Sequence, residues 1–398
     1  MTKRNILDIV GNTPLLDNMA LKSLNTLFGT AGYELMFVGG CVRDTIMGIS
    51  PKDIDLATSA TPDQMIELFQ RNDIRYIETG LQHGTLTAVI NSEPYEITTY
   101  RIDQETDGRH AIVGFTTSLE DDLCRRDLTM NAIAMDFIGN LVDPFGGVDD
   151  INHGNVRFVG DAEARIAEDY LRILRYFRFL GRFGSKLTMT DQTDAYQAIV
   201  KHKDGLNQIS AERIWMEISK IVSGPRCTDV IHLMIQSGVW EVIDAPVGFF
   251  GAFAHAERRR IRNPASILAW FVHDSAKIKS LADRWKWSKD ESGRALFITN
   301  NICSPELLDG KLDPYQKMLV DNKIPREWVY DLAALNNVDC NELKVWQIPV
   351  MPVTGKDLIN VGVKPSPAMG RLLNDIKKMW IKSNYSLDKD ALMSLVGF

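Results

Sequence analysis

Hydrophobic periodicity changes once along this 398-residue chain, at Phe145-Gly146-Gly147. Before that point, short apolar runs of strand type are mixed with helical stretches and turn residues. After it, apolar residues recur at helical spacing almost throughout. Helices are predicted there over 161–182, 190–202, 209–222, 226–236, 264–283, 288–299, 313–320, 327–335, 354–361 and 365–382. No solenoid-type period and no low-complexity linker interrupts them. The expected class is α+β: an N-terminal head with a mixed β-sheet and helices, followed by an all-α remainder. The length exceeds one ordinary core and predicts two to four domains.

Within the head, apolar spacing predicts a helix over 5–28, with Gly11 and Pro14 as possible interruptions, and a strand over 34–38. TPDQMIELFQ (61–70) carries a helix-start signature, with Thr61 as cap, Pro62 at the first helical position and Gln64 three residues after the cap. LTAVI (86–90) and YEITTY (95–100) read as strands joined by a short turn. Residues 101–118 lack apolar periodicity and are expected to form a loop, and a helix is expected around Arg125-Arg126-Asp127. AIAMDF, Gly139-Asn140 and LVDP read as a hairpin.

The chemistry begins at residues 37–57, FVGGCVRDTIMGISPKDIDLA. A strand breaks at Gly39-Gly40, a short helix carries Arg43, and a second strand is expected to carry Asp53 and Asp55. Side chains two apart on a strand share a face, which would aim both carboxylates one way. A glycine turn lets a phosphate approach backbone N–H groups. The D-x-D pair alone could be a solvated strand edge. With GG-x-VRD upstream it points to a metal–phosphate site, because paired hard oxygen ligands suit Mg²⁺. Glu96 is either a third ligand or a solvent-facing strand residue.

Two further constellations stand downstream. CRRDLTMNA (124–132) offers the pair Arg125-Arg126 for triphosphate oxygens, with Asp127 and Asn131 bonding a ribose or holding the arginines; the other reading is a charged helix start with local capping. EDYLRILRYFRFLGRFG (168–184) reads as one amphipathic helix in which Asp169, Arg172, Arg175 and Arg178 follow one another a turn apart. These are either surface ion pairs or a base-reading edge. In the second case a carboxylate accepts from an exocyclic amine while Arg donates to the adjacent ring nitrogen. Cytosine and adenine fit that pattern; uracil and guanine present the reverse.

Other features narrow the classes. The five cysteines are scattered with no C-x-x-C pair, which argues against a disulfide framework or a zinc site and fits a reducing cytoplasm. The N-terminal MTKRNILDIV resembles neither a secretory signal nor a transit peptide, and no apolar run is long enough for a membrane span. A net charge of −7 means a nucleic-acid partner would need a local basic surface, for which ERRRIR (257–262) is one candidate. SAERIW (210–215) reads as a capped helix packing near the 168–184 segment. His273-Asp274 is read as structural, and Trp285 and Trp287 as packing residues.

Taken together, GGCVRDTIMGISPKDIDLATSATPDQM, HGTLTAVI, YEITTYRIDQETDGRHAIVGFTTSLEDDLCRRDLTMNAIAMD, NVRFVGDAEARIAEDYLRILRYFRFLGRFG and ISAERIWMEISKI resemble the class II CCA-adding tRNA nucleotidyltransferases of the polymerase-β-like superfamily. WQIPVMPVTGKDLINVGVKPSPAMGRLL resembles the branch that includes eukaryotic and mitochondrial enzymes. Leu128 stands where many bacterial relatives carry Phe. The resemblance implies a head (1–145), neck (146–225), body (226–325) and tail (326–398). It also implies tRNA as partner, CTP and ATP as substrates, Mg²⁺ as cofactor and no obligatory protein partner. Gly39, Gly40 and Arg43 would then hold the triphosphate, Asp53 and Asp55 the metals, and Arg126 phosphate, with Asp127 near the ribose. Asp169 and Arg172 would act as a protein template, Arg175 and Arg178 would lie near the nucleotide, and Arg109 would belong to a flexible loop used in switching from C to A. Poly(A) polymerase activity and a non-catalytic RNA-binding role are the alternatives.

Overall fold

A computed structural model of the chain describes residues 4–106, 111–185, 193–302, 304–321 and 323–397. Two compact units form: residues 1–246 with 283–287, and residues 247–282 with 288–398.

The first unit opens with three short helices, α1 (Ile6–Val10), α2 (Pro14–Asp17) and α3 (Met19–Thr30), where one was expected. Gly11 ends α1 at φ 70° and Pro14 starts α2, so the two interrupting residues act as breakers. Strand β1 (Leu35–Val38) leads into α4 (Gly40–Ile46), and β2 spans Asp55–Thr58. Asp53 therefore precedes the strand instead of lying on it. Helix α5 (Pro62–Arg71) has the expected reciprocal cap: Thr61 Oγ accepts the Gln64 N–H and Gln64 Oε1 accepts the Thr61 N–H.

Strands β3 (Arg75–Gly80), β4 (Thr85–Ile90) and β5 (Glu93–Thr99) follow. Asn91 and Ser92 both take positive φ (53° and 68°), as a two-residue hairpin turn requires. The predicted loop over 101–118 is instead a separate two-stranded sheet, β6 (Arg101–Thr106) with β7 (Ala111–Phe115). Such a ribbon need not bury one face, so its sequence shows no apolar alternation. Helix α6 (Leu119–Cys124) ends before the RRD triplet, which correction moves the arginines out of the helix. Strands β8 (Ala134–Met135) and β9 (Leu141–Val142) complete the main sheet in the order β3-β4-β5-β2-β1-β8-β9, with β2–β5 the parallel pair.

Strand β1 is buried on both faces. Leu35 and Phe37 point to the larger core with Leu21, Leu24, Phe28, Met65 and Phe69 of α3 and α5. Met36 and Val38 point to the opposite, smaller core with Ala57, Tyr100, Leu123 and Ala134. Asp55 shares a face with Ala57, so it lies on the side of the sheet covered by the segment 119–159.

Helices α7 (Gly147–His153), α8 (Ala162–Glu168), α9 (Leu171–Phe183), α10 (Asp194–His202), α11 (Ala211–Val222), α12 (Cys227–Gln236) and α13 (Val239–Val242) finish this unit. The single helix expected over 161–182 is broken at Asp169-Tyr170. Trp285 and Trp287 pack against Trp215 of α11 at ring-centroid distances of 5.8 and 4.7 Å, which agrees with their reading as packing residues.

The second unit is helical and includes the helices Pro264–Val272, Lys289–Asn301, Arg326–Leu335 and Pro367–Lys382. The helix expected over 264–283 is interrupted: His273 takes φ 54° and Asp274 Oδ1 caps the following helix by accepting the N–H groups of Ala276 and Lys277. The sequence reading missed the helices Gly251–Arg258, Cys340–Val345 and Lys389–Leu395, all under nine residues, too short to establish a periodicity. Trp380, Leu358, Ile376 and Leu392 form the core of the C-terminal part. Among the described residues no helix is long and apolar enough to cross a membrane.

Candidate active site

The site starts where β1 stops. Gly39 takes φ 72°, ψ −124°, a conformation closed to residues with a Cβ, and its N–H bonds the Ile133 carbonyl at 3.0 Å. A Cβ on Gly39 would lie 2.7 Å from Nη1 of Arg126. The absence of a side chain is therefore what lets this guanidinium close on the turn. The Nε of Arg126 is buried with no hydrogen-bond partner among the described residues. Its Nη2 donates to Asp122 at 2.9 Å.

Asp55 begins β2 on the same side. Burial pushes its carboxyl above the ordinary range, Arg126 pulls it back, and the charge of Asp53 pushes it up again. As a residue Asp55 still keeps an exposed face at the start of the strand. Two neighbouring acidic groups, one of them disfavoured as an anion, suit a divalent cation, and both offer hard oxygen donors. Glu96 is the register partner of Asp55 in the parallel pair β2–β5, so it stands on the same face one strand over. No group of three or more His, Cys, Asp or Glu close enough to hold a metal ion occurs among the described residues. The donor set brought together is thus Asp53 with Asp55.

Arg43 lies deeper than the sequence implied. Its side chain is 8% exposed, and it donates from Nε and Nη2 to Asp44 (2.9 and 2.7 Å) and from Nη1 to Asn131 (2.6 Å). The guanidinium also sits over the rings of Phe183 (4.6 Å) and Phe179 (5.3 Å) of α9. Arg43 therefore ties α4 to α9, and two of its five N–H donors remain for other partners.

Asp127 is likewise internal. It accepts from the Leu128 N–H (2.8 Å), Asn131 Nδ2 (3.1 Å) and Arg175 Nε (2.7 Å). Burial pushes this carboxyl up, but Arg175 and the Asn131 bond outweigh it and hold it below the ordinary range. Of the two roles open for Asp127 and Asn131, holding arginines is the one these contacts fill.

Asp169 and Arg172 were expected one turn apart on one helix. Asp169 is instead extended (φ −153°, ψ 105°) and lies between α8 and α9. Its Oδ1 accepts the Leu171 N–H at 3.1 Å, and its Oδ2 accepts from Arg213 Nη2 of α11 at 2.8 Å. The Asp169 carbonyl accepts the Arg172 N–H at 2.9 Å, so the two residues remain adjacent in space. Arg172 donates to Glu168 and to the carbonyls of Arg165 (2.9 Å) and Arg125 (3.2 Å), which leaves it further donors. The kink is packed by Tyr170, whose ring lies flat on Gly205: a Cβ there would fall 2.2 Å from the ring. Arg178 donates to the buried Glu217 at 2.6 Å.

The sequence reading missed Asp122, Glu217 and the specific role of Arg213. Asp122 could have been found three and four residues before Arg125 and Arg126, the spacing of helical ion pairs. Glu217 and Arg213 sit four apart on α11, facing α9, and carry no local signal of their partners. Arg109 lies outside the described residues.

Residues 35–157 match the family described as "Poly A polymerase head domain", and residues 189–244 match "Probable RNA and SrmB- binding site of polymerase A". The chain is 41% identical to the Homo sapiens protein named CCA tRNA nucleotidyltransferase 1, mitochondrial, over 94% of this chain and 89% of the relative. It is 33% identical to the CCA-adding enzyme of Ligilactobacillus salivarius, over 97% of each. Its fold is similar to that of the Bacillus stearothermophilus CCA-adding enzyme solved in complex with CTP, with a TM-score of 0.72 and 27% identity over 97% of this chain and 98% of that one.

Proposed function

The chain belongs to the CCA tRNA nucleotidyltransferase family, and from that premise we propose that it adds C, C and A in turn to the 3′ end of tRNA, using CTP and ATP without a nucleic-acid template. The 3′-hydroxyl oxygen of the tRNA bonds to the α-phosphorus of the nucleotide, the bond from that phosphorus to the bridging oxygen breaks, and pyrophosphate departs. The hydroxyl proton passes to solvent or to a carboxylate of the site.

The observation that carries the site assignment is the placement of Arg126 against Gly39 within electrostatic reach of Asp55. A triphosphate laid along Gly39-Gly40 meets the guanidinium of Arg126 on one side. Asp53 and Asp55 would hold divalent cations, with Mg²⁺ proposed; bound there, such an ion neutralises phosphate charge and acidifies a ligated hydroxyl. Arg43 supports the turn from beneath, and Asp127 fixes Arg175 behind it. Asp169 and Arg172 present acceptor and donor to the amine and ring nitrogen of C or A. Preorganised groups of this kind act by position and charge.

The division into head (1–145), neck (146–225), body (226–325) and tail (326–398) is proposed with it, the last two holding tRNA. Cys41, Cys124, Cys227 and Cys340 are not joined in disulfides, which supports a reducing compartment. The cytoplasm is the proposed one, and fractionation would separate it from the mitochondrion, which the name of the Homo sapiens relative specifies.

Purified protein should be given tRNA lacking its CCA end together with CTP and ATP, and in parallel an oligo(A) primer with ATP alone. Three added residues ending in A are expected. A long A tail would assign poly(A) synthesis instead, and no product from either would leave only RNA binding.

A further inference from the structure

Asp122 accepts four hydrogen bonds beside the site, and although it lies within the family-like stretch 95–136, the sequence alone assigns it no role. Its side chain is 1% exposed. Oδ1 accepts from Arg125 Nε (3.0 Å), Arg125 Nη2 (2.8 Å) and the backbone N–H of Arg101 (3.2 Å). Among the described residues, Oδ2 accepts from Arg126 Nη2 alone, at 2.9 Å. One buried carboxylate therefore binds three groups with different duties. Arg101 is the first residue of β6, where the chain leaves the main sheet for the second one. Arg125 offers its carbonyl to Arg172 at 3.2 Å, on the base-reading side. Arg126 lies on the Gly39 turn, on the phosphate side.

We propose that Asp122 is a positioning residue for the triphosphate subsite: it aims Arg126 at the Gly39 turn through Oδ2 while anchoring β6 and Arg125 through Oδ1. This rests on the reading of Arg126 as a phosphate ligand. A free arginine side chain samples many rotamers, and ordering it on substrate binding costs entropy. Asp122 removes that cost in advance. Its own charge is kept by the same contacts, since the two arginines outweigh burial and hold its carboxyl below the ordinary range. The pair is thus charged at every working pH. The split of donors between the two oxygens gives a selective perturbation. In Asp122→Asn the amide oxygen can keep the three Oδ1 donors, while its NH₂ faces Arg126 Nη2 and cannot accept from it.

The test is a double-mutant cycle on Asp122→Asn and Arg126→Ala, read by pyrophosphate inhibition and by KM for CTP, ATP and tRNA. Arg126→Ala alone tests the phosphate reading: pyrophosphate inhibition unchanged from wild type would remove that reading and this inference with it. Given a loss there, Asp122→Asn is expected to weaken pyrophosphate, CTP and ATP alike by about tenfold, the loss of roughly one charge-assisted hydrogen bond. KM for tRNA should stay within about twofold. In the Arg126→Ala background the same substitution should add less than about twofold, because the group it acts through is gone. Full additivity, no effect in the wild-type background, or an equal loss for tRNA would each overturn the proposal. If Asp122→Asn does not fold, Asp122→Glu, which keeps the charge but moves it by one methylene, is read by the same criteria.

Discussion

Arg213 donates to the carboxylate of Asp169 at 2.8 Å across forty-four positions of sequence. This contact holds the second oxygen of an acidic group that stands in a helix break, the first being held by the Leu171 N–H. In the proposed template role, the acidic group in the α8–α9 break would thus be aimed by a residue of a third helix, α11.

Removing that hold should relax base choice more than it weakens tRNA binding. Arg213→Ala is expected to lower the preference for CTP over UTP by about tenfold, the value of a charged hydrogen bond near 1.5 kcal/mol. Asp169→Ala or Arg172→Ala should lower it at least as far. Arg213→Lys should recover part of the loss, since it keeps the charge but not the fork. The measurement is kcat/KM for each nucleotide with tRNA lacking CCA, beside KM for the tRNA. Unchanged selectivity in all three variants would refute the protein-template role.

The kink itself can be tested from its other side. Gly205→Ala places a methyl group 2.2 Å from the Tyr170 ring, which must move, and Tyr170 adjoins Asp169 directly. Overpacking of this kind costs about 1–3 kcal/mol. The variant is expected to lose stability in thermal melts and, at temperatures where it remains folded, to discriminate nucleotides less well. Full selectivity in a folded Gly205→Ala protein would show that the kink does not set the reading geometry.

How far the sequence reveals this site depends on the range of each contact. The glycine turn, the aspartates and the Thr61-Pro62 cap are local and can be read directly. The break at Asp169-Tyr170 is not legible, because Ile166, Leu171, Leu174 and Phe177 keep an apolar side running across it, and the cause, Gly205, lies thirty-five residues on. Arg43 looks like a surface helix residue beside a glycine turn. Only the arrival of Phe179, Phe183 and Asn131 makes it a buried strut. The second sheet escapes for the opposite reason: β6 (RIDQET) is almost wholly polar and β7 (AIVGF) wholly apolar, so neither strand writes an alternation. The identities of the charged residues thus pointed to the site, while the assignment of who holds whom came from tertiary contacts.

Asp127 and Arg175 make a stability claim with a pH signature. The carboxyl of Asp127 is held below its ordinary range, so the stabilisation is present above the unfolded value, about 3.9, and is lost as pH falls through the lower folded value. Asp127→Asn should cost about 3 kcal/mol at pH 7, because it leaves Arg175 without its counter-charge. Denaturant titrations should show the gap to wild type closing below about pH 4, where the unfolded carboxyl takes up a proton while the native one, held lower, does not yet do so. A gap that stays constant down to pH 3 would assign the loss to packing instead of charge.

Asp55 has the opposite sign. Burial raises its carboxyl above the ordinary range, with the nearby charge of Asp53 adding to the rise against Arg126. A raised folded value means the favourable contribution is present below the unfolded value and is lost as pH rises through the folded one. At pH 7 the ionised Asp55 is therefore a burden on the metal-free fold. Asp55→Asn keeps the shape and removes that charge, so with chelator present it should melt higher than wild type at pH 7 and no higher near pH 3.5. Added Mg²⁺ should then raise the wild-type melting temperature, since an ion bound only to the folded state stabilises it by mass action. The variant should gain much less and should not incorporate nucleotides. A metal-free Asp55→Asn protein that melts below wild type at pH 7 would contradict the electrostatic account, and one that gains as much from Mg²⁺ as wild type would take Asp55 out of the metal site.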